Sequence, residues 1–198
     1  MRNQNNLRNK EQNVIFARGK IIELNNGDTN PSFILFVRNG AARKHTYLTF
    51  EYDSNKFHLK KGTVVSITAH IENTGTQNNC VIITDSVQNE QTELATFFNK
   101  QSVFGFAYPK PFAKLFVFGK VIDKHLKPNS NWIEMIIEDN CKNRIKVQYS
   151  TKMRVNDTKL NTGDKVYAYA LPISTEKLVN EEIVNFETLV AEDIVIEQ

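Results

Sequence analysis

A chain of 198 residues with 25 Lys and Arg against 22 Asp and Glu carries a net charge of +3, and its 40% hydrophobic and 24% charged content is that of an ordinary soluble globular protein. That length suits one large domain or two small ones of about 100 residues each, and the mild positive charge permits an anionic partner without demanding one. No apolar run nears the roughly 20 residues of a membrane span, and Cys80 and Cys141 form neither a zinc spacing nor a disulfide framework, so no membrane contact, no metal and a reduced, cytoplasmic setting are expected.

Residues 1–13, MRNQNNLRNKEQN, lack the apolar segment of a secretory signal. They are expected to form a flexible arm whose Arg2, Arg8 and Lys10 add weak phosphate contacts. The first strand is VIFARGKII, 14–22, and it returns a hundred residues later as LFVFGKVID, 115–123, with Gly19 over Gly119 and Lys20 over Lys120. The next strands follow in the same order in both halves. SFILFVRNG (32–40) lies over NWIEMIIEDN (131–140), and KHTYLTFEY (44–52) over NRIKVQYS (143–150). LKKGTVVSITAHI (59–71) lies over LNTGDKVYAYALPI (160–173), with Gly62 over Gly163, and NCVIITDSV (79–87) over AEDIVIEQ (191–198). Each half thus gives five short strands rich in Val, Ile, Phe and Tyr, separated by Gly, Asn and Pro turns. Between the halves, Thr92 to Lys100 has the spacing of one short helix, and the aromatic-rich VFGFAYPKP that follows is too apolar for a free linker.

Five strands, a glycine within the first and a Leu-x-x-Gly before the fourth resemble the OB-fold, a small Greek-key barrel. The expected fold class is all-β with a short connector helix: two tandem five-stranded OB-fold Greek-key barrels. The first barrel should occupy 14–88 and the second 113–198. A packed connector should fill 89–112.

Catalysis finds no support in the residues. His45, His58, His70 and His125 are scattered without a metal-binding spacing, and no nucleophile elbow, P-loop or dinucleotide-binding glycine pattern occurs. Glu181 and Glu182 stand in a stretch expected to be a polar loop. No cofactor and no enzymatic activity are expected.

Strand alternation then sorts inside from outside. In the second half Ile133, Met135 and Ile137, then Ile145, Val147 and Tyr149, should fill the interior. Trp132, Glu134 and Ile136, and Arg144, Lys146 and Gln148, should face out, as should Phe116, Phe118 and Lys120. Transferring this parity through the repeat exposes Phe16, Arg18 and Lys20, then Phe33 and Leu35, then His45, Tyr47 and Thr49 in the first half. The loop RNGAARKHT adds Arg38, Arg43 and Lys44 as a basic finger. OB-folds use the face of strands one to three for oligonucleotides, and aromatic platforms interleaved with cations are what hold a single strand. The chain therefore resembles the single-stranded-DNA-binding proteins of replication and recombination. The resemblance implies single-stranded DNA as ligand, with little sequence preference, and replication or recombination proteins as partners. Self-association is compatible with it. It differs from the common bacterial type, which has one barrel per chain and an acidic tail; here VAEDIVIEQ reads as a strand, and a phage or mobile-element setting would fit that difference. An RNA ligand stays open, since 2′-OH contacts leave no motif. So does an assembly subunit whose exposed aromatics meet a protein.

Overall fold

The computed structural model describes residues 13–27, 30–39, 44–73, 80–89, 112–153, 160–179 and 182–197. The N-terminal arm, the connector helix over Thr92–Lys100, Arg43 and Glu181 lie outside the described residues. So do the side chains of Arg38, Lys44 and His45, whose backbones are described. All regular structure among the described residues is strand, and no helix there is long and apolar enough to cross a membrane.

The first five strands are β1 (Asn13–Asn25), β2 (Ser32–Asn39), β3 (Lys44–Glu51), β4 (Val64–Asn73) and β5 (Cys80–Asn89). They run β2-β3-β5-β4-β1, and a β2–β1 pairing closes the ring. One link, β3 to β5, is parallel and the others described are antiparallel. This is the five-stranded Greek-key barrel of the OB-fold. Its core is filled by the inward face of each strand, including Ile15, Ala17 and Ile21 from β1, Leu48 and Phe50 from β3, and Val65, Ile67 and Ala69 from β4.

The second five are β6 (Phe112–Leu126), β7 (Trp132–Glu138), β8 (Arg144–Ser150), β9 (Lys165–Val179) and β10 (Glu182–Ile196). They repeat the ring as β6-β7-β8-β10-β9, closed by β6–β9, again with one parallel link, β8 to β10. Ile133, Met135, Ile137, Ile145, Val147 and Tyr149 are all buried, as their alternation required. Two compact units divide the chain; one is built mainly from β6–β10, the other mainly from β1–β5.

Each first strand serves two sheets, and the glycine explains how. Lys20 pairs with Val64 on β4 and with Phe36 on β2, so β1 changes partner there; Lys120 does the same between Lys165 on β9 and Glu138 on β7. A register shift follows at once, between Ile21 and Glu23 and between Val121 and Asp123. At that bend the neighbouring backbone crosses close. A Cβ on Gly19 would collide with the Phe36 carbonyl oxygen. One on Gly119 would collide with the Glu138 carbonyl oxygen and approach Glu138 C and Ile137 Cγ2 to 2.8 Å. Backbone cannot yield without opening the β6–β7 pairing. Gly119→Ala should therefore cost at least the roughly 1–3 kcal/mol of an overpacked core, read as a lower denaturation midpoint. Unchanged stability would contradict a bend held at Gly119.

The second pair of aligned glycines also matches. Gly62 and Gly163 have φ of 89° and 103°, which favour glycine, and their N–H groups donate to the carbonyls of Ile21 and Val121 at 2.7 and 2.8 Å. Each thus ties the turn before the fourth strand to the bend of the first.

Two expectations need correction. Phe33 and Leu35 were expected outside; they are 1% and 0% exposed. The reason is register. The sequence alignment laid Phe33 over Trp132, but Phe33 pairs with Leu24 while Met135 pairs with Lys124, so Met135 is its true counterpart. The slip is three residues, and an odd slip exchanges the two faces of a strand. Phe33 instead stacks on Phe50 inside the barrel, centroids 5.3 Å apart and planes 6° from parallel. The second correction concerns β9 and β10. Glu182 is not in a loop: it belongs to β10 and pairs with Val179 on β9, the two strands being fifteen residues each. A two-stranded ribbon satisfies its backbone by cross-strand hydrogen bonds and needs no core-facing stripe, so the apolar pattern that marks other strands is weak here.

Candidate nucleic-acid interface

On the outer face of β1–β2–β3 one row of residues runs straight across the strands. Lys20 is opposite Phe36, and Phe36 is opposite Tyr47. The two rings lie 5.7 Å apart at 49°, and Tyr47 is 39% exposed. Arg38 and His45 form the next cross-strand pair toward the β2–β3 loop. A cation beside two partly exposed rings can neutralise a phosphate and offer flat surface to bases. Phe36 was not anticipated, because the same three-residue slip that exposed Phe33 buried Phe36; correct register would have found it.

The matching row in the second barrel has different chemistry. Lys120 faces Glu138, and Glu138 faces Arg144. The Glu138 carboxylate accepts from Lys142 Nζ at 2.9 Å and Arg144 Nε at 3.4 Å; the Lys142 hydrogen bond, with Arg144 assisting, holds its pKa below the ordinary carboxylate value. Lys146 Nζ lies 3.1 Å from Glu134, and His125 Nε2 lies 3.8 Å from the same carboxylate. Arg144 and Lys146 are thus each paired with an acid on this face, and both stay solvent-exposed. Trp132 opens β7 opposite Ser150, three outward positions from Glu138, and is 39% exposed.

Phe116 and Phe118 point outward, but not on this sheet. They precede the bend and sit beside β9, opposite Tyr169 and Tyr167. Phe16 and Arg18 likewise lie beside β4, opposite Thr68 and Ser66, and Arg18 Nε donates to Ser66 Oγ at 3.0 Å. Alternation separates inside from outside; it does not say which sheet a bent strand has joined. The expected single aromatic face is thus corrected: Phe16, Arg18, Phe116 and Phe118 do not share the β2–β3 or β7–β8 side with Tyr47 or Trp132. Tyr167 and Tyr169 were missed, although KVYAYA gives both the same outward parity.

No cluster of three or more potential metal ligands occurs among the described residues. Cys80 and Cys141 are not joined in a disulfide; desolvation raises the pKa of both thiols, against a lowering by Lys146 at Cys80 and with the charges of Asp139 and Glu72 adding to the rise at Cys141.

No family model and no curated protein sequence matches the chain. In shape it resembles the wild-type single-stranded DNA binding protein from Thermus aquaticus, with a TM-score of 0.64 and 9% sequence identity over 94% of this chain and 93% of that one. A deletion mutant of the same Thermus protein gives a TM-score of 0.63 at 9% identity, covering 94% of both chains. At that identity the likeness is one of fold, and the fold is the all-β, OB-type architecture that both chains share.

Proposed function

We propose that this chain is a non-enzymatic protein that binds single-stranded DNA with little sequence preference, chiefly through the outer face of β1–β2–β3. The observation that carries the proposal is the row Lys20–Phe36–Tyr47, one cation and two neighbouring rings placed in register across three strands. Stacking on rings is tolerant of base identity, and lysine meets a phosphate as a point charge; neither reads sequence. The backbone pairs Arg38↔His45 and Asn39↔Lys44 continue β2 and β3 beyond this row, and the cations the sequence offers there, Arg38, Arg43 and Lys44, would add phosphate contacts. In the second barrel Trp132, Lys120, Arg144 and Lys146 supply a weaker surface, since Glu134 and Glu138 also repel a phosphate backbone. The fold of the Thermus single-stranded DNA binding protein supports the same reading at the level of architecture.

Lys20→Gln tests it. The variant should weaken binding to all single-stranded sequences alike and reduce the slope of log K against log salt by about 0.7, the contribution of one phosphate contact. An unaltered slope would remove Lys20 from the interface.

A further inference from the structure

The outer face of β6, β9 and β10 carries an aromatic field that the proposed DNA track does not use. Phe116 is opposite Tyr169, and Phe118 is opposite Tyr167. The first pair of rings lies 5.0 Å apart; the second stacks at 4.4 Å and 26°. On β10 the two rows end in Asp193 and Val195, opposite Tyr169 and Tyr167. The rows border an open depression of about 260 Å³. Val117 and Ala168, the inward residues between them, also line it, so its floor is the sheet itself. Phe116, Tyr167 and Val195 are 47%, 51% and 53% exposed, and exposed apolar surface gathered in this way marks an interaction site.

Spacing sets what can enter. Residues two apart on one face of a strand stand about 6.8 Å from each other, close to twice the carbon–carbon contact distance of about 3.5 Å. The two rows therefore leave room for one flat layer between them. Charge sets which flat group is favoured. At the register shift between Ala191 and Asp193, Ala191 and Ile194 both stay buried, so Glu192 and Asp193 stand side by side on the outer surface. Neither carboxylate has a hydrogen bond or ion pair among the described residues. Of the cations on this face, Lys165 is paired with Glu197 at 3.5 Å, and Lys120 belongs to β6, two strands from β10. Lys114, also on β6, holds its Nζ 5.5 Å from the Tyr169 ring centre, a distance at which a ring attracts a cation.

We propose that this slot takes the guanidinium of an arginine presented by a partner protein, layered between the two aromatic rows and paired with Asp193. A guanidinium is flat, stacks on ring faces and offers a carboxylate two parallel N–H donors. Glu192 attracts the same cation from beside Asp193. A lysine ammonium is charged but not flat, so it fills the layer poorly. A nucleobase is flat, but its phosphates would approach Glu192 and Asp193, which repel them. The site uses none of Lys20, Phe36 and Tyr47, and it does not depend on DNA binding.

Nuclear magnetic resonance of the full chain, followed at the ring signals of Tyr167 and Tyr169, provides the test. The probes are three capped tripeptides: Gly-Arg-Gly, Gly-Lys-Gly and Gly-citrulline-Gly. The arginine peptide should shift those signals saturably. The citrulline peptide, equally flat but uncharged, and the lysine peptide, charged but not flat, should both bind more weakly. Asp193→Asn should weaken the arginine peptide by about fivefold, the size of one exposed ion pair, and should leave single-strand affinity unchanged. Tyr167→Ser, at an exposed position, should weaken the arginine peptide as well. An arginine peptide that gives no saturable shift would overturn the proposal, as would a citrulline or lysine peptide that binds equally well. So would an Asp193→Asn or Tyr167→Ser protein that binds the arginine peptide like the wild type. If an oligonucleotide moves these rings and the peptide does not, the face belongs to nucleic acid and the proposal fails. It fails too if they move with protein concentration alone, since the occupant is then a second copy of the chain.

Discussion

Replacing Phe36 and Tyr47 together by alanine should weaken single-stranded DNA binding by about 2–6 kcal/mol, from about 1–3 kcal/mol per stacked base. The rings face outward, 5.7 Å apart, on neighbouring strands. Their contribution to folding is that of one cross-strand pair, about 0.2–1 kcal/mol. The melting temperature should therefore move little while affinity falls steeply. Oligonucleotide titration and thermal melting measure the two quantities separately. A protein that melts much lower but binds normally in its folded fraction would show that these rings serve the core.

Phe33→Ala should do the reverse. Phe33 is 1% exposed, stacked on Phe50 and in edge contact with Tyr52 at 5.7 Å. Removing it leaves a cavity between rings that are themselves held by β-sheet backbone, and large-to-small aromatic truncations of this kind cost about 3–5 kcal/mol. Denaturant unfolding should show that loss, and single-strand affinity of the folded protein should stay at the wild-type level. Phe33 and Phe36 differ by three positions, so they lie on opposite faces of β2. The opposite phenotypes of Phe33→Ala and Phe36→Ala are a direct check on that parity.

Much of the architecture was legible in the sequence. The strand order, the bend glycines Gly19 and Gly119 and the turn glycines Gly62 and Gly163 recur at fixed places because one barrel geometry requires them twice. The interior of β7 and β8 followed from Glu134 and Glu138, whose charges cannot point into a core. Parity failed only where it was carried through the repeat instead of taken from local polarity. In β2, Ser32 to Val37 is nearly all apolar on both faces, so nothing local opposed a slip of three. The division of aromatics between sheets was not legible at all. Phe116 and Phe118 share outward parity with Lys120, yet only the change of partner at Lys120 shows that the rings lie with β9. The long β9–β10 ribbon escaped notice because backbone hydrogen bonds, invisible to an apolar pattern, hold its outer part together.

In the proposed function the chain binds single strands through charge and stacking. Fluorescence anisotropy with labelled single- and double-stranded oligonucleotides at several salt concentrations tests it most directly. If about four phosphates are neutralised, log K for the single strand should fall with log salt at a slope near −3, from about 0.7 per contact. Affinity for the duplex should be much lower, since paired bases cannot reach Phe36 and Tyr47. A slope of zero, or a duplex bound as tightly as the single strand, would contradict the account.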